Sequence, residues 1–255
     1  MRAVAAIARN TFREALRDRV LYLFLGFAVV LLVSSKLFGL LTVGDEGKVI
    51  KDFGLAGIQL STMLIAVMMS VLLVSREVDS RTVYNILAKP VPRWQFLVGK
   101  YLGLLATVAV NLALMTAVLL LVTVAYLGEL DAGLLFAAAM TLLEMALLTA
   151  FATLFAVLTR PMLGTVFTLA VFVIGHVVED IWLLTKHVDS GLVRPLVAVL
   201  YAVLPNLERF NFKTEVVHDL AISSGEVVLT VIYGLAYTAT VLVLACARFR
   251  AKDLV

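Results

Sequence analysis

Few residues of this chain could do acid–base or ligand chemistry, and they are scattered. His176, Glu179 and Asp180 lie within five positions, with His187 and His218 further on, and imidazole with carboxylate is a possible zinc donor set. Their spacing argues against a metal site. His176-x-x-Glu179-Asp180 lacks the second histidine of an inverted zinc-protease motif, and neither H-E-x-x-H nor G-x-S-x-G occurs. We assign no catalytic residue and no metal ligand: His176 reads as a satisfied interfacial histidine and the acids as side chains snorkelling to water. Phosphate-loop chemistry is excluded as well, because Gly47-Lys48 runs into Val49, Gly99-Lys100 runs into Tyr101, and neither pair has a glycine five positions upstream. Glu144, in TLLEMALL, is the acid with the least polar neighbourhood. A charge at mid-bilayer costs about 2.5–3.5 kcal/mol, so Glu144 must pair, be protonated or face the bundle interior. It lines a path or dimer contact, or it makes an interhelical hydrogen bond to Asn111 or Gln59.

The elements that carry these residues follow from composition. Hydrophobic residues make up 62% of the 255 and charged residues 15%, with a mean hydropathy of +1.05. A soluble domain carries about a quarter of its residues as charges, so this composition describes an integral membrane protein. Apolar runs of about 20 residues match a helix crossing roughly 30 Å of hydrocarbon. Six such runs are present: Val20–Val43, Gly54–Val74, Phe96–Leu127, Leu134–Leu158, Leu163–Leu184 and Glu226–Ala247. Continuous apolar runs lack the alternation of barrel strands, so the expected fold is all-α. The first run is too long for a signal-peptide core and has no A-x-A-like exit, so no removable signal is expected. Cys246, the sole cysteine, has no disulfide partner and reads as a small packing residue.

Lys and Arg are unevenly shared between the two sides of these spans. Fourteen of the 21 fall on the side of the termini: Arg2, Arg9, Arg13, Arg17 and Arg19, then Arg76, Arg81, Lys89, Arg93 and Lys100, then Arg160, and finally Arg248, Arg250 and Lys252. The positive-inside bias therefore puts both termini in the cytoplasm, in the cell (inner) membrane. It also accounts for the net charge of +3 with no nucleic acid as partner.

Two segments on that side are organised beyond the needs of topology. In residues 1–19, Arg2, Arg9, Arg13 and Arg17 share one helical face and Val4, Ile7, Ala8, Phe12 and Ala15 the other, which predicts an amphipathic helix in the headgroup layer. It would serve as an electrostatic anchor or as a lever on the first span. The second segment, 76–95, follows span two. Mixed charges at Arg76, Glu77, Asp79 and Arg81 precede a helix through Val83–Leu87, which Asp79 or Ser80 could cap and which Pro90 and Pro92 end. Arg93 and Lys100 bracket the return to the membrane, with Trp94 at the interface.

The pattern Glu77, Thr82, Leu87, Pro90, Arg93, Gly99 and Lys100 resembles the signature around the first cytoplasmic loop of ABC type-2 permeases, the membrane subunits of bacterial exporters. The glycine common before the threonine is Arg81 here. The resemblance spans essentially the whole chain as one transmembrane permease domain. It implies that the loop holds a coupling helix seated in a cleft of a separate ATPase subunit, docked through Glu77, Arg81, Thr82, Val83, Tyr84 and Leu87. Pro90, Pro92, Arg93, Trp94 and Lys100 would end the loop and form its interface. ATP and Mg would be bound by the partner, with no cofactor in this chain, and a second permease copy or paralogue and membrane lipid would complete the assembly. Between spans five and six, 186–225 contains Leu192–Leu204, an apolar stretch of about 13 residues that is too short to span. It predicts an external re-entrant or interfacial helical hairpin broken at Pro205, capping a path or serving as a structural lid.

The expectation is thus a dimerising exporter permease driven by a partner ATPase. Leu, Val, Ala and Phe walls would suit an amphipathic cargo, but lipid-facing helices share that composition, so the cargo stays open. The alternatives are a permease-like subunit that conveys ATP-driven work to an external partner without moving a solute, and an ATP-independent membrane scaffold.

Overall fold

The computed structural model describes residues 2–40, 45–79, 92–128, 130–185 and 193–251, and among these there is no strand. The long helices in chain order are α1 (Arg2–Arg17), α2 (Arg19–Leu40), α3 (Glu46–Asp79), α4 (Arg93–Leu127), α5 (Ala132–Leu158) and α6 (Pro161–Thr185). They are followed by the short helix α7 (Val193–Val203), a 3-10 turn at Glu208–Phe210, the five-residue α8 (Lys213–Val217) and the long α9 (Ser224–Ala251). Helices α3, α4, α5, α6 and α9 are each long and apolar enough to cross a membrane, and α2 adds a shorter apolar stretch, Arg19–Ser35. With 11 residues, about 16 Å, α7 cannot span.

Helix α3 is the axis of the bundle, packing against α2, α4, α5, α6 and α8. Its core side chains include Ile58, Ile65, Met69 and Leu73, all almost completely buried. The sequence placed the start of this span at Gly54, whereas the helix begins at Glu46. The added turns are stabilised by Lys51, whose Nζ donates to Asp131 Oδ2 at 2.6 Å. The other carboxylate oxygen of Asp131 accepts from Gly133 N at 2.7 Å and so caps α5. One aspartate therefore joins two helix starts. Gly128 ends α4 in the left-handed conformation at φ 73°, its N–H bonded to Val124 O, which makes the turn before Asp131 tight.

The amphipathic α1 forms as its periodicity demands, with Arg2, Arg9, Arg13 and Arg17 all exposed. Its other face packs on α4. A Cβ at Gly99 would lie 2.8 Å from Ile7 Cβ, and one at Gly103 would lie 2.5 Å from Ala8 O and 2.6 Å from Thr11 Cβ. The G-x-x-x-G at the foot of α4 is thus the seat of α1, and Thr11 and Ala15 are completely buried there. The sequence alone named no protein partner for this apolar face, and the glycines let it pack on α4. Asp18 breaks the chain between α1 and α2, and its Oδ1 accepts from Val20 N at 2.9 Å.

Gly103→Ala should therefore unseat α1, because the atom it meets is backbone and cannot rotate away. A loss of about 1–3 kcal/mol is expected, measured as earlier thermal unfolding in detergent. Faster tryptic cleavage at Arg9 and Arg13 should accompany it, while Gly26→Ala, at a position with open space, should change neither.

Candidate functional site

Glu144 sits at mid-length of α5 and is only 1% exposed. Gln59 of α3 reaches it with Nε2 at 2.8 Å from Oε2 and 3.1 Å from Oε1. From α6, His176 Nε2 lies 3.3 Å from Glu144 Oε1 and 3.2 Å from Gln59 Nε2. The His176 Nδ1 is 2.8 Å from Phe172 O, and since a carbonyl only accepts, that nitrogen carries a proton. His176 Nε2 can then accept from the Gln59 amide when bare, or donate to Glu144 when protonated. The fourth member is Lys213 of α8, whose Nζ donates to Gln59 Oε1 and so fixes which way the amide points. Burial pushes the Lys213 ammonium below the usual lysine range, while the charges of Glu144, Glu208 and Asp52 pull it back.

The segment that delivers Lys213 is itself held inside the bundle. Leu207 N donates to Gly175 O at 2.8 Å, a close approach possible because a Cβ at Gly175 would lie 2.9 Å from Pro205 O. Asn206 donates through Nδ2 to Glu179 Oε2 and through its backbone N to the Tyr233 hydroxyl at 2.9 Å, bridging α6 and α9. Leu207, Phe210, Phe212 and Val216 are buried beneath it. Arg209 lies over the Tyr233 ring at 5.3 Å.

Several residues singled out from sequence are placed differently. Of the two partners considered for Glu144, Gln59 is in contact and Asn111 is not: Asn111 is buried on α4 with Nδ2 3.6 Å from Met115 Sδ. His176 is nine residues, about 13 Å, inside the end of α6 and belongs to the Glu144 cluster rather than to the interface. Glu179 stays exposed, as expected of an acid reaching water, and also accepts a hydrogen bond from Asn206 Nδ2. Sequence reasoning passed over Lys213, although a lysine between Phe212 and Val216 in the 205–217 segment was the available signal. Among the described residues no group of three or more His, Cys, Asp or Glu could hold a metal ion.

At the other end of the bundle, Arg81, Thr82, Val83, Tyr84, Leu87 and Pro90 lie outside the described residues, and Glu77 falls in the last turn of α3. Pro92 is the N-cap of α4. Arg93 Nη1 donates to Phe249 O at 3.4 Å and Arg250 O at 3.2 Å, a cation on the C-terminal carbonyls of α9. Phe96 stacks on Phe249 with centroids 5.9 Å apart. Trp94 is 53% exposed, whereas Lys100, which was expected to bracket the return to the membrane, is 1% exposed and pairs with Glu14 at 3.4 Å. It is buried because α1 covers the foot of α4.

A family model described as ABC-2 family transporter protein matches residues 5–254. The chain belongs to that family. No curated protein matches it. As an ABC-2 transporter protein it is a multi-pass membrane permease, of a kind that is generally a non-catalytic membrane subunit, and the Glu144 cluster is a polar junction between α3, α5, α6 and α8.

Glu144→Leu should leave Gln59 and His176 without their buried partner and cost about 1–3 kcal/mol. Glu144→Gln, which keeps the shape, should cost less. A double-mutant cycle of Glu144→Gln with Lys213→Met, followed by thermal unfolding in detergent, should return a coupling above about 0.5 kcal/mol. Asn111→Leu combined with Glu144→Gln should be additive.

Proposed function

We propose that this chain is the membrane-spanning subunit of an ABC exporter, a single transmembrane permease domain that dimerises and is driven by a separate ATPase. In this reading ATP and Mg are bound by the partner, both termini lie in the cytoplasm of a cell with the protein in its inner membrane, and α2 with the five longer helices makes six spans. The segment 76–95 is the docking loop, with Glu77, Arg81, Thr82, Val83, Tyr84 and Leu87 meeting the ATPase. The cargo leaves outward past α7 and the 205–217 segment, which acts as the re-entrant cap.

One observation carries this reading beyond family membership. Helix α4 starts directly after the loop, and within its first three turns it holds both helices that bear the termini. Arg93 holds the carbonyl end of α9, and Lys100, Gly99 and Gly103 hold α1. A push on the loop would move α1, α4 and α9 together. At the far side, Lys213 ties the cap to α3, and through Gln59 to α5 and α6, so separating those helices requires the cluster to open.

Replacing Glu77 by Ala, or the Val83–Leu87 turn by Gly-Ser sequence, should abolish co-purification of an ABC ATPase while membrane insertion stays normal. Normal complex formation in both variants would remove the docking assignment. Lys213→Met should leave ATPase association intact and uncouple ATP hydrolysis from cargo movement in liposomes.

A further inference from the structure

The first turns of α4 and the last turns of α9 enclose a groove of about 760 Å³, walled by Trp94, Val98, Leu242 and Cys246, with Arg93 and Arg250 at its polar end. No carboxylate lines it among the described residues. Both arginines sit at the extremities of long apolar helices, and Val98 and Leu242 lie one to two turns inward, so the groove is cationic at the membrane boundary and apolar toward the membrane interior. The half-exposed Trp94 indole occupies the level where such rings prefer to lie. Pro92 gives α4 no side-chain cap, so the positive end of the helix also faces this region.

We propose that this groove is a binding site for one anionic phospholipid, with the phosphate headgroup against Arg250 and the helix start, and an acyl chain along Val98 and Leu242. The charge pattern selects this occupant over a second copy of the chain. A twofold contact sets one patch against itself, and here it would bring Arg250 toward its own counterpart with no acid between them among the described residues. The bound lipid would cover the junction at which Arg93 holds the end of α9, and anionic lipid would thereby stabilise that clamp.

The test uses the full chain in phosphatidylcholine vesicles. Trp182→Phe keeps the ring stacked on Tyr201 and leaves Trp94 as the sole indole of the two. Brominated phosphatidylglycerol should half-quench Trp94 at about fivefold lower mole fraction than brominated phosphatidylcholine. Arg250→Gln should bring that ratio close to one, and Cys246→Phe, which fills the groove, should weaken quenching by both lipids. Native mass spectrometry of the unsubstituted chain should retain phosphatidylglycerol over phosphatidylcholine, and its Arg250→Gln variant should not. Equal quenching by the two lipids, or a preference that survives Arg250→Gln in both measurements, would overturn the proposal. Shielding of Trp94 from both lipids would also overturn it, by showing that protein covers the groove.

Discussion

The structure is organised around a carboxylate that lipid cannot accommodate. Glu144 lies at the middle of α5 with essentially no exposure, where the hydration lost by a charge must be replaced by protein donors. Its surroundings come from three other elements: Gln59 of α3, which donates to it, His176 of α6 beside it and, bonded to the Gln59 carbonyl, Lys213 of α8. Satisfying one side chain therefore sets the rotation of three long helices about their axes, and it draws a short outer segment down among them. A bundle made only of Leu, Val and Ala would have no comparable reason to prefer this arrangement, since in lipid the association of apolar faces brings no gain from excluding water.

Shape does the remaining work, and glycine supplies it at the two places where chain segments meet a helix backbone. At Gly103 the backbone of α1 comes closer than any Cβ would allow, and at Gly175 the 205–207 segment lies against α6 and donates a backbone hydrogen bond to its carbonyl. The two contacts hold peripheral segments against two different long helices. Charge then reinforces each: Lys100 with Glu14 beside the first, Glu179 with Asn206 beside the second. Within this permease α4 thus holds both α1 and α9, while a polar network ties the 205–217 segment to α3, α5 and α6.

Most of the helices were legible in the sequence because a span is written in one dimension. A run such as Leu134–Leu158 needs only its own length and apolarity to be recognised, and the charge asymmetry of Arg9, Arg13 and Arg17 needs only a helical wheel. The site was legible in part. Glu144 stood out by cost alone, and Gln59 was one of two named candidates, but Asn111 had equal standing until the helices were rotated into place. Lys213 was passed over and His176 was judged by its neighbours in sequence, whereas their partners are 154 and 32 residues away.

By itself, then, the sequence determined that this is an all-helical membrane protein with a basic, helix-bearing side, an expensive buried acid and no phosphate loop of its own. Those properties follow from composition, run length and the absence of a motif, which are local. Only the tertiary structure decided that α1 packs on α4, that Lys100 is buried, and that the 205–217 segment closes the Glu144 cluster. Each of those depends on how close two backbones can come and which way a helix is turned, and neither distance nor rotation is recorded in a linear pattern of residue types.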